Sequence, residues 1–386
     1  MKKKVCVLTA TRAEYGLLRP VIQRLREDDF FDVQVVITGA HLSPEFGLTY
    51  KEIENDGIPI DKKIEILLSS DTPASISKSM GLALIGFADY FAESKPDLLL
   101  VLGDRYETLA VCCAAMNQRI PIAHLYGGET TEGAVDEAYR HAISKLSYLH
   151  FTSTEEYRTR VIQLGEDPSR VFNVGALGVE NILQTPLMSR EELEQSLEFK
   201  LSSRYVVVTY HPVTLEDGTS AEGFQELLDA LDAFPQLQVI FTKANADADG
   251  RIINTMIDEY VKSHRNTIAF ESLGTVRYLS VVKHSCAVLG NSSSGIIEVP
   301  SLSVPTINIG DRQKGRIMEE SIISCEPERK SIENALTMAL SDEFKEKLKT
   351  MKSIYGDGNT SSRIVEVILK ELTDSAIDLK KAFYDL

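Results

Sequence analysis

The chain is short of positive charge. Its 41 Lys and Arg stand against 57 Asp and Glu, a formal net charge of −16, with a pI near 5.0. Nucleic-acid backbones and anionic membranes are gripped by clustered Lys and Arg, so composition argues against both as partners. Any anionic ligand must therefore meet a local basic pocket. Long apolar runs are missing as well: the best stretches, 80–91 and 281–289, are interrupted or fall short of the roughly 18 residues a membrane span needs. The opening Met1-Lys2-Lys3-Lys4 imitates the basic start of a secretory leader, but Val5-Cys6-Val7-Leu8 gives way at once to Thr11-Arg12 and reads as a first strand. A soluble, cytoplasmic protein is expected. Five cysteines without CxxC spacing and seven histidines without an HxxxH or mixed cluster argue against zinc and point to reduced thiols rather than disulfides. Solenoid-period repeats and low-complexity tracts are absent too.

What is present is ordinary globular stock, 43% hydrophobic and 25% charged over 386 residues, enough for two full cores. Short apolar runs alternate with helix-length amphipathic segments, the rhythm of βα units on parallel sheets. The first half offers strands at 5–9, 33–38, 98–102, 120–125 and 150–152; the second restarts with 205–210, 238–242, 267–270, 287–289 and 306–309. Between them, 184–203 has the polar, Glu-rich composition of a connector, and a hinge is placed there. The expected organisation is an α/β chain with a Rossmann-like domain at 1–184, a second at 185–360 and a cleft between them. Helices follow near 331–351 and 361–372, and the segment 361–386 is expected to cross back onto the first domain.

Ligands of parallel sheets bind outside the carboxyl ends of the strands, so the turns found there carry the functional reading. They include Thr11-Arg12-Ala13-Glu14, Gly103-Asp104-Arg105, Tyr126-Gly127-Gly128-Glu129, His211-Pro212-Val213-Thr214, Lys243-Ala244-Asn245, Gly290 to Gly295 and Gly310-Asp311-Arg312. The fullest is Leu289 to Glu298, where a strand runs into a hydroxyl-rich turn that opens a short helix. Backbone N–H groups and the serine hydroxyls of this turn suit phosphate, and Glu298 on the same helix suits ribose hydroxyls. A nucleotide is implied. Taken singly, each signal has a plainer reading: a Ser N-cap, an Asp104–Arg105 loop ion pair, i,i+4 pairs Asp136–Arg140 and Glu137–His141 on a helix surface. His124 ends a buried strand and could be a core group or an orienting one, whereas His41, His150, His264 and His284 read as structural or surface groups, and Cys112-Cys113 as packing.

Seven motifs in register decide between these readings. TRAEYGLL at 11–18, VLGDRYE at 101–107, GGE at 127–129, DEAYRHAISKLSYLHFTSTEEY at 136–157, HPVTLE at 211–216, GNSSSGIIEVPS at 290–301 and INIGDRQKGR at 307–316 together resemble the hydrolysing UDP-N-acetylglucosamine 2-epimerases of bacterial sialic-acid pathways. The resemblance covers nearly the whole chain. It implies the twin-Rossmann GT-B arrangement and a reaction that removes the C2 proton, expels UDP from C1 to leave a 2-acetamidoglucal, and adds water with inversion at C2 to release N-acetylmannosamine. No cofactor and no metal are implied. Carried over motif by motif, the catalytic candidates are Asp104, Glu129, Asp136 and His211, and the substrate-binding candidates Arg12, Ala13, Arg105, Tyr126, His141, Asn245, Ser292, Ser293, Glu298 and Arg312. Asp104 and Asp136 could each serve as acid or base. Many relatives carry a Glu two residues after the strand-end His; here His124-Leu125-Tyr126 lacks it, and Glu129 is favoured over Tyr126 to replace it. Leu17 stands where some relatives have a Lys near the diphosphate, which shifts that contact to Arg12. The alternatives keep the chemistry on a 2,4-diacetamido UDP-sugar, or make the chain a GT-B glycosyltransferase or a non-catalytic nucleotide-sugar sensor. The resemblance also implies a homo-oligomer, dimer or tetramer, for which the apolar helix at 75–94 could serve.

Overall fold

Leu98-Leu99-Leu100-Val101-Leu102 is buried at all five positions, and a strand apolar on both faces belongs in a parallel sheet covered by helices on both sides. The computed structural model describes residues 2–68, 72–130, 135–211, 219–243, 250–271, 273–351, 353–374 and 377–386. The chain divides into two units, Met1–Asn181 with Gly358–Leu386, and Ile182–Asp357. In unit 1 the strands are β1 (Lys3–Thr9), β2 (Phe31–Ile37), β3 (Lys62–Lys63), β4 (Leu98–Leu102), β5 (Ile122–Leu125), β6 (Leu149–Thr152) and β7 (Val171–Asn173). Unit 2 holds β8 (Tyr205–Thr209), β9 (Gln238–Thr242), β10 (Thr267–Phe270), β11 (Ala287–Gly290), β12 (Thr306–Ile309) and β13 (Ile322–Cys325). The orders are β3-β2-β1-β4-β5-β6-β7 and β10-β9-β8-β11-β12-β13, with every pairing parallel. Each is a doubly wound Rossmann order whose direction reverses once, between β1 and β4 in unit 1 and between β8 and β11 in unit 2. At such a reversal the connections leave to opposite faces and a crevice opens at the carboxyl ends of the strands.

Two cores flank the unit 1 sheet. On one face Leu18, Val21, Ile22 and Leu25 of helix Arg12–Glu27 meet Ile364, Ile368 and Leu372 of helix Thr360–Asp374; on the other lie Phe87 and Phe91 of helix Pro73–Ser94 with Val111 and Ala115 of helix Tyr106–Asn117. Beyond helix Thr360–Asp374, residues 377–386 are tied down by Lys381, whose ammonium donates to the carbonyls of Lys145 and Ser147 at 3.0 and 2.6 Å. Lys381 also lies 2.5 Å from the buried carboxylate of Glu166, which His150 and Lys145 hold as well.

The structure departs from the sequence reading in five places. β3, β7 and β13 are strands of two to four residues with half-buried or exposed patterns, too short and too polar to register as apolar runs. The helix expected over 331–351 is two helices, Arg329–Leu340 and Asp342–Thr350, divided at Ser341, whose extended backbone and hydroxyl cap the second. The stretch expected as a connector with a Glu-rich helix does hold one, Arg190–Leu197, opened by a Ser189/Glu192 capping box, but it is no mere connector. Leu193, Leu197 and Leu201 bury there with Tyr205 and Val207, so the segment belongs to the unit 2 core; its Leu spacing is masked by the glutamates around it.

Candidate active site

Three turns of unit 1 converge where its strand order reverses. After β1, Thr11 and Glu14 form a capping box that starts helix Arg12–Glu27, and the Glu14 carboxylate accepts from the backbone N–H groups of Ala10 and Thr11 at 2.7 and 3.3 Å. After β4, Gly103 takes a left-handed conformation at φ 82° that aims Asp104 and Arg105 off the strand end. After β5, Gly128 must be glycine: it sits at φ +79°, and a Cβ would lie 2.3 Å from the Tyr157 carbonyl oxygen. Fully buried His124 joins two of these turns. Its Nε2 lies 2.7 Å from the Gly103 carbonyl and its Nδ1 3.2 Å from the Ser144 hydroxyl. Burial drives its pKa down to about 3, so the ring is neutral; the carbonyl can only accept, which puts the proton on Nε2 and leaves Nδ1 to accept from Ser144.

Arg140 is the hub of the site. It lies on helix Asp136–Leu146, its side chain is 4% exposed, and it pairs with the carboxylates of Asp104 and Glu137. It also donates to the Glu129 carbonyl at 2.7 Å. A guanidinium buried this far needs such partners, because a lone charge in that setting costs several kcal/mol. The Glu129 carboxylate accepts from the Ser153 hydroxyl at 2.8 Å, and His141 lies 3.2 Å from Glu137. Four of the expected residues, Asp104, Glu129, His141 and, beside Asp104, Arg105, thus gather within unit 1. Asp136 does not join them; it is exposed at the head of its helix, and Arg140 turns to Glu137 and Asp104 instead of to its i−4 neighbour. Arg12 pairs with Glu52 at 2.9 Å, and Ala13 beside it is exposed. Tyr126, at φ 68°, accepts from the N–H groups of Leu177 and Gly178 at 2.8 and 3.4 Å, which commits its hydroxyl to the turn after β7. Burial first, and then nearby Glu129, hold that phenol well above its ordinary pKa.

The same logic builds unit 2. Gly290 ends β11 at φ +134°, where a Cβ would lie 1.9 Å from the Thr209 carbonyl oxygen, so β8 and β11 approach only over a bare backbone. Asn291, buried behind it, clamps His211 at both backbone groups, accepting from its N–H and donating to its carbonyl, each at 2.7 Å. The Asn291 carbonyl in turn accepts from Arg312 at 3.0 Å and Gln313 at 2.8 Å. One asparagine thereby fixes the turns after β8, β11 and β12. Ser292 caps helix Ser293–Ile297, Ser293 is exposed, and the Ser294 hydroxyl donates to Glu298 at 2.5 Å and meets the Tyr278 hydroxyl at 3.0 Å. Asn245 lies outside the described residues.

Sequence reasoning passed over Glu14, Glu107, Glu137, Arg140 and Asn291. The T-x-x-E spacing of Thr11 and Glu14 is a capping-box signal that could have found the first; the others are defined by contacts across turns that no spacing encodes. Among the described residues no group of three or more His, Cys, Asp or Glu could hold a metal ion, and no helix is long and apolar enough to cross a membrane.

A family model described as UDP-N-acetylglucosamine 2-epimerase matches residues 23–369. The chain is 45% identical over 387 residues to the hydrolysing GDP/UDP-N,N'-diacetylbacillosamine 2-epimerase of Campylobacter jejuni, covering 100% of each chain. It is 39% identical over 388 residues to polysialic acid biosynthesis protein P7 of Escherichia coli, covering 100% of this chain and 98% of that one. The solved UDP-GlcNAc 2-epimerase of Neisseria meningitidis, bound to UDP-GlcNAc, superposes with a TM-score of 0.78 at 22% identity, over 95% of this chain and 100% of that one; at that identity the likeness is one of fold, and the fold is GT-B-like.

Proposed function

The chain belongs to the UDP-N-acetylglucosamine 2-epimerase family, and from that premise we propose that it hydrolyses a UDP-linked 2,4-diacetamido-2,4,6-trideoxyhexose with inversion at C2, releasing UDP and the free manno-configured sugar. The observation that carries this substrate is the 45% identity, end to end, with the C. jejuni enzyme named for diacetylbacillosamine. In the first step a carboxylate takes the C2 proton, the C1–O bond breaks, its electron pair leaves with UDP, and a C1–C2 double bond forms. In the second, water adds its oxygen at C1 and gives up a proton to a carboxylate while a carboxylic acid protonates C2 from the opposite face.

The carboxylates assigned to these transfers are Asp104, Glu129 and Asp136. Asp104 is held by Arg140 on a turn that His124 fixes through Gly103, so it is the most firmly placed of the three. We assign it the part of the base. To unit 2 we assign the nucleotide: Ser292 and Ser293 to phosphate, Glu298 to ribose, His211 and Arg312 to the diphosphate, with Asn245 a further contact. Arg12, Arg105 and Arg312 supply the positive charge that the acidic surface otherwise lacks.

A second reading, UDP-N-acetylglucosamine to N-acetylmannosamine, is favoured by the description of the family model and by the relative named for polysialic acid biosynthesis. One experiment separates them. The purified protein is given each UDP-sugar, and the GDP-linked diacetamido sugar, in deuterated water, with products followed by NMR. The diacetamido substrate is expected to show the higher kcat/KM and to give free sugar deuterated at C2. A preference for UDP-N-acetylglucosamine selects the second reading, and a UDP-linked epimer or no turnover at all overturns hydrolysis.

A further inference from the structure

Beside Asp104 two carboxylates are buried where stability alone gives them little reason to be. Glu107 is completely buried, and one of its oxygens accepts from Arg105 Nε at 2.6 Å while the other has no hydrogen-bond partner. Glu14, 8% exposed, spends Oε2 on the turn after β1; its Oε1 is buried without a partner and lies 4.0 Å from the same Arg105 Nε. Gly39, at φ +57°, closes over them from the turn after β2, where a Cβ would come within 3.4 Å of Glu107 and 3.2 Å of the Ala10 carbonyl. One guanidinium therefore serves two acids. Arg105 itself is 43% exposed along its side chain, and the Tyr106 phenol lies beside its guanidinium.

Burying two carboxylates around one cation is poor stabilisation, since desolvation offsets most of the attraction. It does fix the cation's direction: a guanidinium held by Nε has its plane set, and its Nη pair points away from the clamp as a fork suited to phosphate oxygens. Burial, and then Glu107, push the Glu14 pKa up to about 7, so near neutrality Glu14 is only partly ionised beside the guanidinium.

We propose that Glu107 and Glu14 are positioning residues that hold Arg105 by its Nε so that its Nη groups meet the diphosphate as the C1–O bond breaks. The inference rests on the sugar-nucleotide reading above and names a group that would steady the leaving UDP. Its test is a double-mutant cycle on the full-length protein, with Glu107→Gln, Arg105→Ala and the pair, read as kcat and KM on whichever sugar nucleotide the wild type turns over. Glu14→Gln serves as a milder second variant, and thermal unfolding is followed for all. Loss of one charge-assisted hydrogen bond should lower kcat of Glu107→Gln by about tenfold or more with a smaller change in KM. The double variant should be no worse than Arg105→Ala within about twofold, because both act through one guanidinium. Losses that multiply, or a fall in melting temperature with kcat intact, would overturn the proposal while leaving the proposed reaction standing. If the wild type turns over no sugar nucleotide, the same cycle is read on UDP affinity by calorimetry, where non-additive losses support the clamp. A wild type that binds no UDP overturns both.

Discussion

Arg140 shows how much of this site depends on one side chain. Replacing it with Met keeps the volume and removes the charge, leaving Asp104 and Glu137, each about a quarter exposed, without their shared cation. Stability should fall by about 3 kcal/mol and turnover by two orders of magnitude or more, checked by urea unfolding and the NMR assay; a variant of wild-type activity would remove Arg140 from the site. Glu14 makes a prediction of opposite character. Its folded pKa, about 7, lies above the 4.5 of an unperturbed Glu, so the folded state binds the proton more tightly than the unfolded one. The stabilisation is therefore complete below about pH 4.5 and is lost as pH rises through 7. Comparing Glu14→Gln with wild type by urea unfolding, the wild type should lose roughly 3 kcal/mol relative to the variant between pH 4.5 and pH 8; a constant difference would mean that Glu14 does not titrate there. Asp104 and Glu129 were legible because each sits in a short motif next to a glycine turn. Arg140 and Glu107 were not, since the same residues on a helix surface would read as solvated charge; only the fold, by closing turns over them, turns them into buried partners.

At the scale of elements, the apolar runs found the central strands because a strand buried on both faces has no alternative composition. They missed β3, β7 and β13, whose place at or near the sheet margins relaxes that demand, and they missed the break at Ser341, where one hydroxyl cap outweighs a continuous amphipathic pattern. The join between β8 and β11 is the tightest of these features. Gly290→Ala would drive a methyl to 1.9 Å from the Thr209 carbonyl oxygen, forcing the two strands apart and costing unit 2 more than 3 kcal/mol. Gly16→Ala is the control, since nothing lies within 4 Å of that position and a helical glycine gains up to about 1 kcal/mol from the change. Thermal melts followed by circular dichroism should separate the two variants clearly; equal melting temperatures would mean that the β8–β11 approach relaxes at little cost.

For the whole molecule, the alternation of apolar runs foretold two Rossmann-like units, and the boundary expected at 184/185 stands three residues from the division at Asn181/Ile182; what stayed hidden is that the segment at 184–203 carries a buried leucine stripe in acidic composition. The homo-oligomer implied by the resemblance has a specific surface to test: on helix Pro73–Ser94, Leu82 is 41% and Ile85 66% exposed. Ile85→Glu should lower the mass measured by light scattering at micromolar concentration, and an unchanged mass would move the interface elsewhere. The division of the chain has one more consequence, and it concerns the order of events on the ribosome. Unit 2 is contiguous, so all of it is in hand while the chain is still growing. Unit 1 is not: Ile364, Ile368 and Leu372 complete its core from the far end of the sequence, and Lys381 fastens the end of the helix that carries Arg140. The half that bears Asp104 and Glu129 begins first and is finished last, waiting through synthesis with an apolar face open, and a chaperone that shields residues 12–25 until release is the assistance this topology calls for.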